Sequence, residues 1–312
     1  MNSMRSDADG HSEKNYAALT SVIAALSLTG FKLVIGLLTN SLGILSEAAH
    51  SGFDLIAAII TLVAVRVSSK PADDQHLYGH GKVENLSALV ETVLLLITCI
   101  WIIHEAISRL FFKVVHVEVT FWSFIVIVAS IIIDFSRSRL LFRTARKYKS
   151  QALEADALHF QTDIWSSAVV LLGLVGVTIS RYIPKLNIFE KLDAVAALGV
   201  AGIVIYISFE LGKRTIHALL DTAPSGMQAR IKKIVEKKPE VIDCHNIRIR
   251  ASGPNLYIDV HVHMDGRHTL KRVHRLTDEI EESIHKIIPD ADITIHPEPL
   301  DSTEPFNSTN NR

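Results

Sequence analysis

The chain has 312 residues, 48% of them hydrophobic, with a mean hydropathy of +0.28 and a formal net charge of −1. That balance argues against a nucleic-acid binder, which neutralises phosphates with a basic excess. Two cysteines, Cys99 and Cys244, exclude a disulfide framework.

Residues 1–16 are polar and acid-bearing, so they lack the basic start of a secretory signal and read as an N-terminal tail. Between residues 17 and 214 the apolar residues gather in six stretches, at 17–38, 43–65, 86–108, 119–136, 157–180 and 191–212. Each is close to the roughly 20 residues that cross a bilayer core. Six in series predict a membrane protein with a six-transmembrane-helix bundle rather than six buried helices of a soluble one. With the N-terminus inside, the inner segments hold thirteen Lys and Arg, six of them between Arg137 and Lys149. The outer links hold five: Arg109, Lys113, Arg181, Lys185 and Lys191. The excess of basic residues places both termini in the cytoplasm.

The second and fifth stretches carry His50, Asp54, His159 and Asp163. Charged groups cost several kcal/mol in hydrocarbon, so these two helices must face protein or water. In each, His and Asp are four residues apart and share one helix face. If the two helices touch, two imidazoles and two carboxylates converge in a set suited to tetrahedral Zn²⁺. The bland alternative is a hydrogen-bonded patch or an ion pair in each helix. Gly52, Ser51, Ser166 and Ser167 are small enough to permit close helix packing there. Protons compete with metal for such ligands, and imidazole titrates near neutrality. A site that alternately opens inward and outward would exchange metal for protons. Asp156 reads either as an acid attracting the cation or as a solvated helix-start residue. Lys32 and Glu91, also within spans, read either as groups that likewise face protein or water or as snorkelling or paired groups, and no function is assigned to them.

The link after the second span, SKPADDQHLYGHGKVENL, holds Asp73, His76 and His80. These are donors for a surface metal site or chance residues of a polar turn. From 215 to 300 the pattern is that of a soluble domain. A helix is predicted over 225–240, strands over 243–250, 256–264 and 292–299, and an amphipathic helix over 269–288. The order α-β-β-α-β gives a two-layer α+β domain. Tyr257, Asp259, His261 and His263 share one face of its middle strand. Residues 301–312 read as a disordered tail.

Three segments carry a wider resemblance: TNSLGILSEAAHSGFD, PADDQHLYGHGKVE and EADALHFQTD. With them the chain resembles the cation diffusion facilitator family from about residue 12 to 300. The resemblance implies six transmembrane helices, a cytoplasmic metallochaperone-like domain and a homodimer. It implies export of divalent metal from the cytoplasm, Zn²⁺ foremost, in exchange for protons. The transport site it implies is His50, Asp54, His159 and Asp163, and the loop site is Asp73, His76 and His80. It further implies a cytoplasmic binuclear zinc site at His245, His261, His274, His296 and Glu298, supplemented by His263. Glu298 departs from the Asp common in bacterial relatives. Cytosolic zinc bound there would stabilise the dimer and favour transport. An interlock between Lys82 and Asp221 would tie the membrane and soluble parts together. The short basic link between spans four and five, in place of a histidine-rich loop, points to a bacterial inner membrane.

The alternatives are a broad-specificity efflux carrier, a metal-gated pore and a non-transporting metal sensor or scaffold. No enzyme motif accompanies them: the chain shows no nucleophile elbow and no phosphate loop.

Overall fold

The computed structural model describes residues 2–111, 121–180 and 189–300. Six long helices come first: α1 (Asn2–Thr39), α2 (Leu42–Ser68), α3 (Lys82–Phe111), α4 (Phe121–Tyr148), α5 (Gln151–Ser180) and α6 (Phe189–Leu219). After them come α7 (Met227–Val235), β1 (Val241–Ser252), β2 (Asn255–Asp265), α8 (Leu270–His285) and β3 (Ala291–Leu300). The chain divides into two units, 1–216 and 217–312. The outer links bearing Lys113, Arg181 and Lys185, and the 301–312 tail, lie outside the described residues.

The helices run longer than apolarity alone suggests. The expected tail, residues 1–16, is helical from Asn2 onward, because nothing between Asn2 and Tyr16 breaks a helix except Gly10. Lys14 is 3% exposed and pairs with the equally buried Glu84 of α3 at 2.7 Å. The basic segment from Arg137 to Lys147 continues α4, since Arg and Lys are good helix formers. The break comes at Lys149, whose φ is 51°. Ser150 then caps α5, accepting from Leu153 N at 3.4 Å.

One expectation needs correction. Among the described residues five helices, not six, are long and apolar enough to cross a membrane: α1, α2, α3, α5 and α6. The helix over the expected fourth span, α4, is not among them. Asp134 sits at its middle, and Arg137, Arg139, Arg143, Arg146 and Lys147 occupy its C-terminal half. Two of these are internalised: Arg137 donates to Asp134 at 3.2 Å and lies over the Phe160 ring at 3.4 Å.

In the N-terminal unit α1 packs on α2 and on α4, α4 on α5, and α3 on both α2 and α5. Ala18, Val65, Leu141, Leu153 and Phe160 are fully buried at the centre of this packing. Leu26, Leu37, Leu38, Ile100, Trp101, Leu172 and Phe209 point outward, each more than half exposed. Such a girdle is unfavourable in water and suits a hydrocarbon solvent, so the bundle is a multi-pass membrane domain.

In the C-terminal unit α7 and α8 cover one face of the sheet β1-β2-β3. β1 and β2 are antiparallel, and β2 and β3 are parallel. Ile258, Val260, Val262 and Met264 alternate inward and meet Ile231, Val235, Leu276, Ile280 and Ile284. Burying each such side chain contributes about 1.5–3 kcal/mol. Pro297 and Pro299 are tolerated because β3 is an edge strand. The period-2 alternation turns the remaining side chains of all three strands to the opposite face.

Candidate metal centre

Helix periodicity sets His50 above Asp54 on α2 and His159 above Asp163 on α5, and the two helices pack together. His159 Nε2 lies 3.1 Å from Asp54 Oδ1 and 3.7 Å from Asp163 Oδ2. His50 Nε2 lies 4.0 Å from Asp54 Oδ1 and 3.9 Å from Asp163 Oδ1. Two ligands on a tetrahedral Zn²⁺, each at roughly 2.0–2.1 Å, sit about 3.4 Å apart. These four His–Asp separations bracket that value; Asp54, His159 and Asp163 form the mutually close set, within 4.8 Å of one another, and His50 stands at its edge. His50 is the accessible member, its side chain 35% exposed against 6% for His159.

A second layer surrounds the quartet. Glu91 of α3 is fully buried, accepts from Thr61 at 3.2 Å, and places Oε2 3.7 Å from His159 Nδ1. Neither Oε2 nor Nδ1 has a hydrogen-bond partner. Lys32, 4% exposed, donates to Ser51 at 2.8 Å and to Glu47 at 3.2 Å. It is therefore a paired buried cation, not a snorkelling one. Asp156 is fully buried and accepts from Ser21 at 3.2 Å, while Arg137 donates to the same hydroxyl at 3.1 Å. This removes the reading of Asp156 as a solvated acid. Gly52 also differs from expectation: a Cβ there would meet nothing within 4 Å, so it does not mark a close helix approach. The tight contact is at Gly36, where a Cβ would fall 2.8 Å from the Leu45 side chain.

Between α2 and α3 the loop folds onto its own acid. Asp73 accepts from His76 N at 2.7 Å and from Gln75 N at 3.0 Å, and these backbone donors, His76 first, hold its carboxyl below the usual range. His76 Nδ1 lies 3.1 Å and His80 Nε2 3.4 Å from the same carboxylate, with the two rings 4.3 Å apart. Gly79 turns the chain with φ 72°, which brings His80 back to Asp73.

On the open face of the C-terminal sheet, His261 Nδ1 lies 2.7 Å, His245 Nε2 3.3 Å and His296 Nε2 3.8 Å from Glu298. His263 joins them, its Nε2 3.1 Å from Glu298. The hydrogen bond from His261 and the surrounding imidazoles keep the Glu298 carboxyl below its ordinary value. His274 is not in this group. It is carried on α8, with its side chain 78% exposed beside Asp278. Helical spacing faces it away from the strands that hold the other donors. Asp243, which motif reasoning passes over, does belong: its Oδ2 lies 3.6 Å from His245 Nδ1. Its signal was an acid two residues before a histidine in a strand. Lys82 is the first residue of α3 in the N-terminal unit, and Asp221 follows α6 in the C-terminal one with φ 57°.

Comparison with known proteins matches residues 18–220 to the cation efflux transmembrane domain and residues 223–300 to the cation efflux protein cytoplasmic domain. The cation-efflux pump FieF of Pectobacterium carotovorum is 30% identical over 301 residues, covering 92% of this chain and 95% of its own. That of Yersinia enterocolitica is 32% identical over 286 residues, covering 91% and 92%. Among solved structures, the metal-bound C-terminal domain of the CzcD transporter from Thermotoga maritima is 35% identical, with a TM-score of 0.23. It covers 25% of this chain and 92% of its own. By both domains and by near full-length similarity, the chain belongs to the cation-efflux family, the cation diffusion facilitators.

Proposed function

We propose that this protein exports divalent metal, Zn²⁺ above other ions, from the cytoplasm across a bacterial inner membrane in exchange for protons. The observation that carries this reading is that His159, Asp54 and Asp163 cluster within 4.8 Å of one another inside a membrane bundle, with His50 3.9–4.0 Å from both carboxylates. Two carboxylates and two neutral imidazoles around Zn²⁺ sum to zero charge, which a low-dielectric interior tolerates. The two imidazoles in the set favour borderline Zn²⁺ over hard Mn²⁺. Metal entering from the cytoplasm displaces protons from the ligands, and protons arriving from outside displace metal. Antiport by alternating access follows from one site that binds either cargo but not both.

Buried pairing of Asp134 with Arg137 supports α4 as a further crossing, because its internal charges are satisfied within protein. An even number of crossings and the basic inner segments then put both termini in the cytoplasm. In this reading the protein works as a homodimer, the loop donors Asp73, His76 and His80 capture metal at the surface, and zinc on the C-terminal strand face regulates transport.

The test is transport in proteoliposomes carrying an internal pH dye. Zinc entry should drive proton exit in the opposite direction. Zinc moving down its gradient with no proton movement would overturn the coupling.

A further inference from the structure

Beside the intramembrane quartet lies a carboxyl to which the exchange of metal for ligand protons gives no task. Asp156 is fully buried on α5, three residues before His159. Its Oδ2 accepts from the Ser21 hydroxyl of α1 at 3.2 Å, while Oδ1, also buried, has no hydrogen-bond partner. The protein therefore satisfies the ionised form only in part. Among the described residues no hydrogen bond or ion pair joins Asp156 to the quartet. Charged groups face it from three other helices: Arg137 of α4, Asp54 of α2 and Glu91 of α3, with His159 on its own helix.

Ser21 connects this carboxyl to a cleft. Arg137 Nη2 donates to Ser21 Oγ at 3.1 Å, and the hydroxyl in turn donates to Asp156. Ser21 and Arg137 also line a cleft of about 410 Å³ between α1 and α4, with Thr20 and Ser136 as its other polar members. A water takes up about 30 Å³ of liquid, so the cleft has room for several. Arg137 Nε is buried there without a hydrogen-bond partner. A hydroxyl oxygen has two lone pairs. Arg137 uses one of Ser21's, and the other can accept from a water in the cleft.

We infer that Asp156 carries a transported proton that no metal ligand holds, taken up from the α1–α4 cleft through the Ser21 hydroxyl. The inference rests on the antiport reading above and adds a proton position to it. In the loading step a hydronium in the cleft gives a proton to Ser21 Oγ as the Ser21 hydrogen passes to Asp156 Oδ2. Hydronium and carboxylate become water and carboxylic acid. The hydroxyl is regenerated with its hydrogen toward the cleft, and Asp156 now donates to it. A divalent cation arriving in the quartet, about one helical turn away, favours the ionised form and drives the proton back along the same route. Metal and this proton exclude each other electrostatically without sharing a ligand. The proton moves between α1 and α4, while the metal is held between α2 and α5.

Full-length protein in proteoliposomes with internal zinc and pH dyes reports both fluxes at once. Calorimetry of zinc binding in detergent, in buffers of different ionisation heat, counts the protons released without turnover. Asp156→Asn keeps the shape of the side chain and should release about one proton fewer per zinc in both measurements, with zinc still bound. Ser21→Ala should keep the wild-type count at equilibrium and slow both fluxes severalfold, and Ser21→Thr, which retains a hydroxyl, should recover the rate. Thermal unfolding controls for structure, and if Asp156→Asn unfolds early the Ser21 pair decides alone. An unchanged proton count in Asp156→Asn would overturn the inference, and so would wild-type rates in Ser21→Ala. A merely structural Asp156 would alter stability or zinc affinity and leave the count per zinc unmoved. Zinc movement without proton movement in the wild type would instead defeat the antiport reading itself, and the inference with it.

Discussion

Replacing Glu91 by Gln should weaken Zn²⁺ binding at the intramembrane quartet about tenfold while leaving the fold intact. Glu91 is fully buried on α3, with one oxygen held by Thr61 and the other 3.7 Å from His159 Nδ1. A closure of several tenths of an ångström turns that gap into a hydrogen bond, with His159 Nδ1–H donating and Nε2 left to the metal. Outer-layer carboxylates of this kind typically account for 10–100-fold in metal affinity. The resting separation is longer than a formed hydrogen bond, so the lower end applies, about 1.4 kcal/mol. Gln preserves shape and the Thr61 contact but loses the charge. The assay is the concentration dependence of Zn²⁺ uptake in proteoliposomes, with thermal unfolding in detergent as the control for structure. KM should rise about tenfold with the unfolding temperature little changed, and Glu91→Asp, short by one methylene, should recover only part of the affinity. An unchanged KM in Glu91→Gln would refute the assignment of Glu91 as a positioning residue for His159.

Two further outcomes follow from charge pairs. Asp134 and Arg137 are 5% and 6% exposed and bonded at 3.2 Å, so Arg137→Met alone leaves a buried, uncompensated carboxylate. It should cost about 3–5 kcal/mol, and the double change Asp134→Leu/Arg137→Met should restore only part of that loss in thermal unfolding, because Ser21 and the buried Asp156 still lose the guanidinium. In the C-terminal unit, Arg272 binds Glu240 and holds its carboxyl below the ordinary value near 4.5. A lowered folded-state value means that the pair's stabilisation is present above pH 4.5 and disappears as pH falls through the folded-state value. Acid unfolding of Arg272→Ala should therefore show a shallower decline below that pH than wild type does.

The quartet could be read from the chain because a four-residue spacing fixes which side chains share a helix face, and His and Asp inside apolar runs are conspicuous. The same applies to Asp73, His76 and His80, where the acid and the Gly79 turn are both explicit in the string. α4 was harder. Its Asp134 and Arg137 look like the end of a span, and only their mutual bond and the Phe160 ring beneath Arg137 show them internalised. Periodicity gives no warning that α1 reaches back to Asn2, since a polar segment without Pro reads as tail or helix equally well. On the C-terminal sheet the resemblance supplied histidines by motif, His274 among them, although α8 carries that side chain away from the strands. Asp243 was hidden for the opposite reason. Its relation to His263 is a cross-strand register, and register depends on the bulges flanking His245 rather than on any local spacing.

The central claim is that the α2–α5 quartet carries the transported ion, and Asp163→Ala tests it most directly. Asp163 faces both histidines of the quartet, at 3.7 Å and 3.9 Å. Zinc uptake into proteoliposomes should fall to the level of protein-free vesicles, with zinc still bound on the C-terminal strand face. Uptake at the wild-type rate by Asp163→Ala would contradict the account.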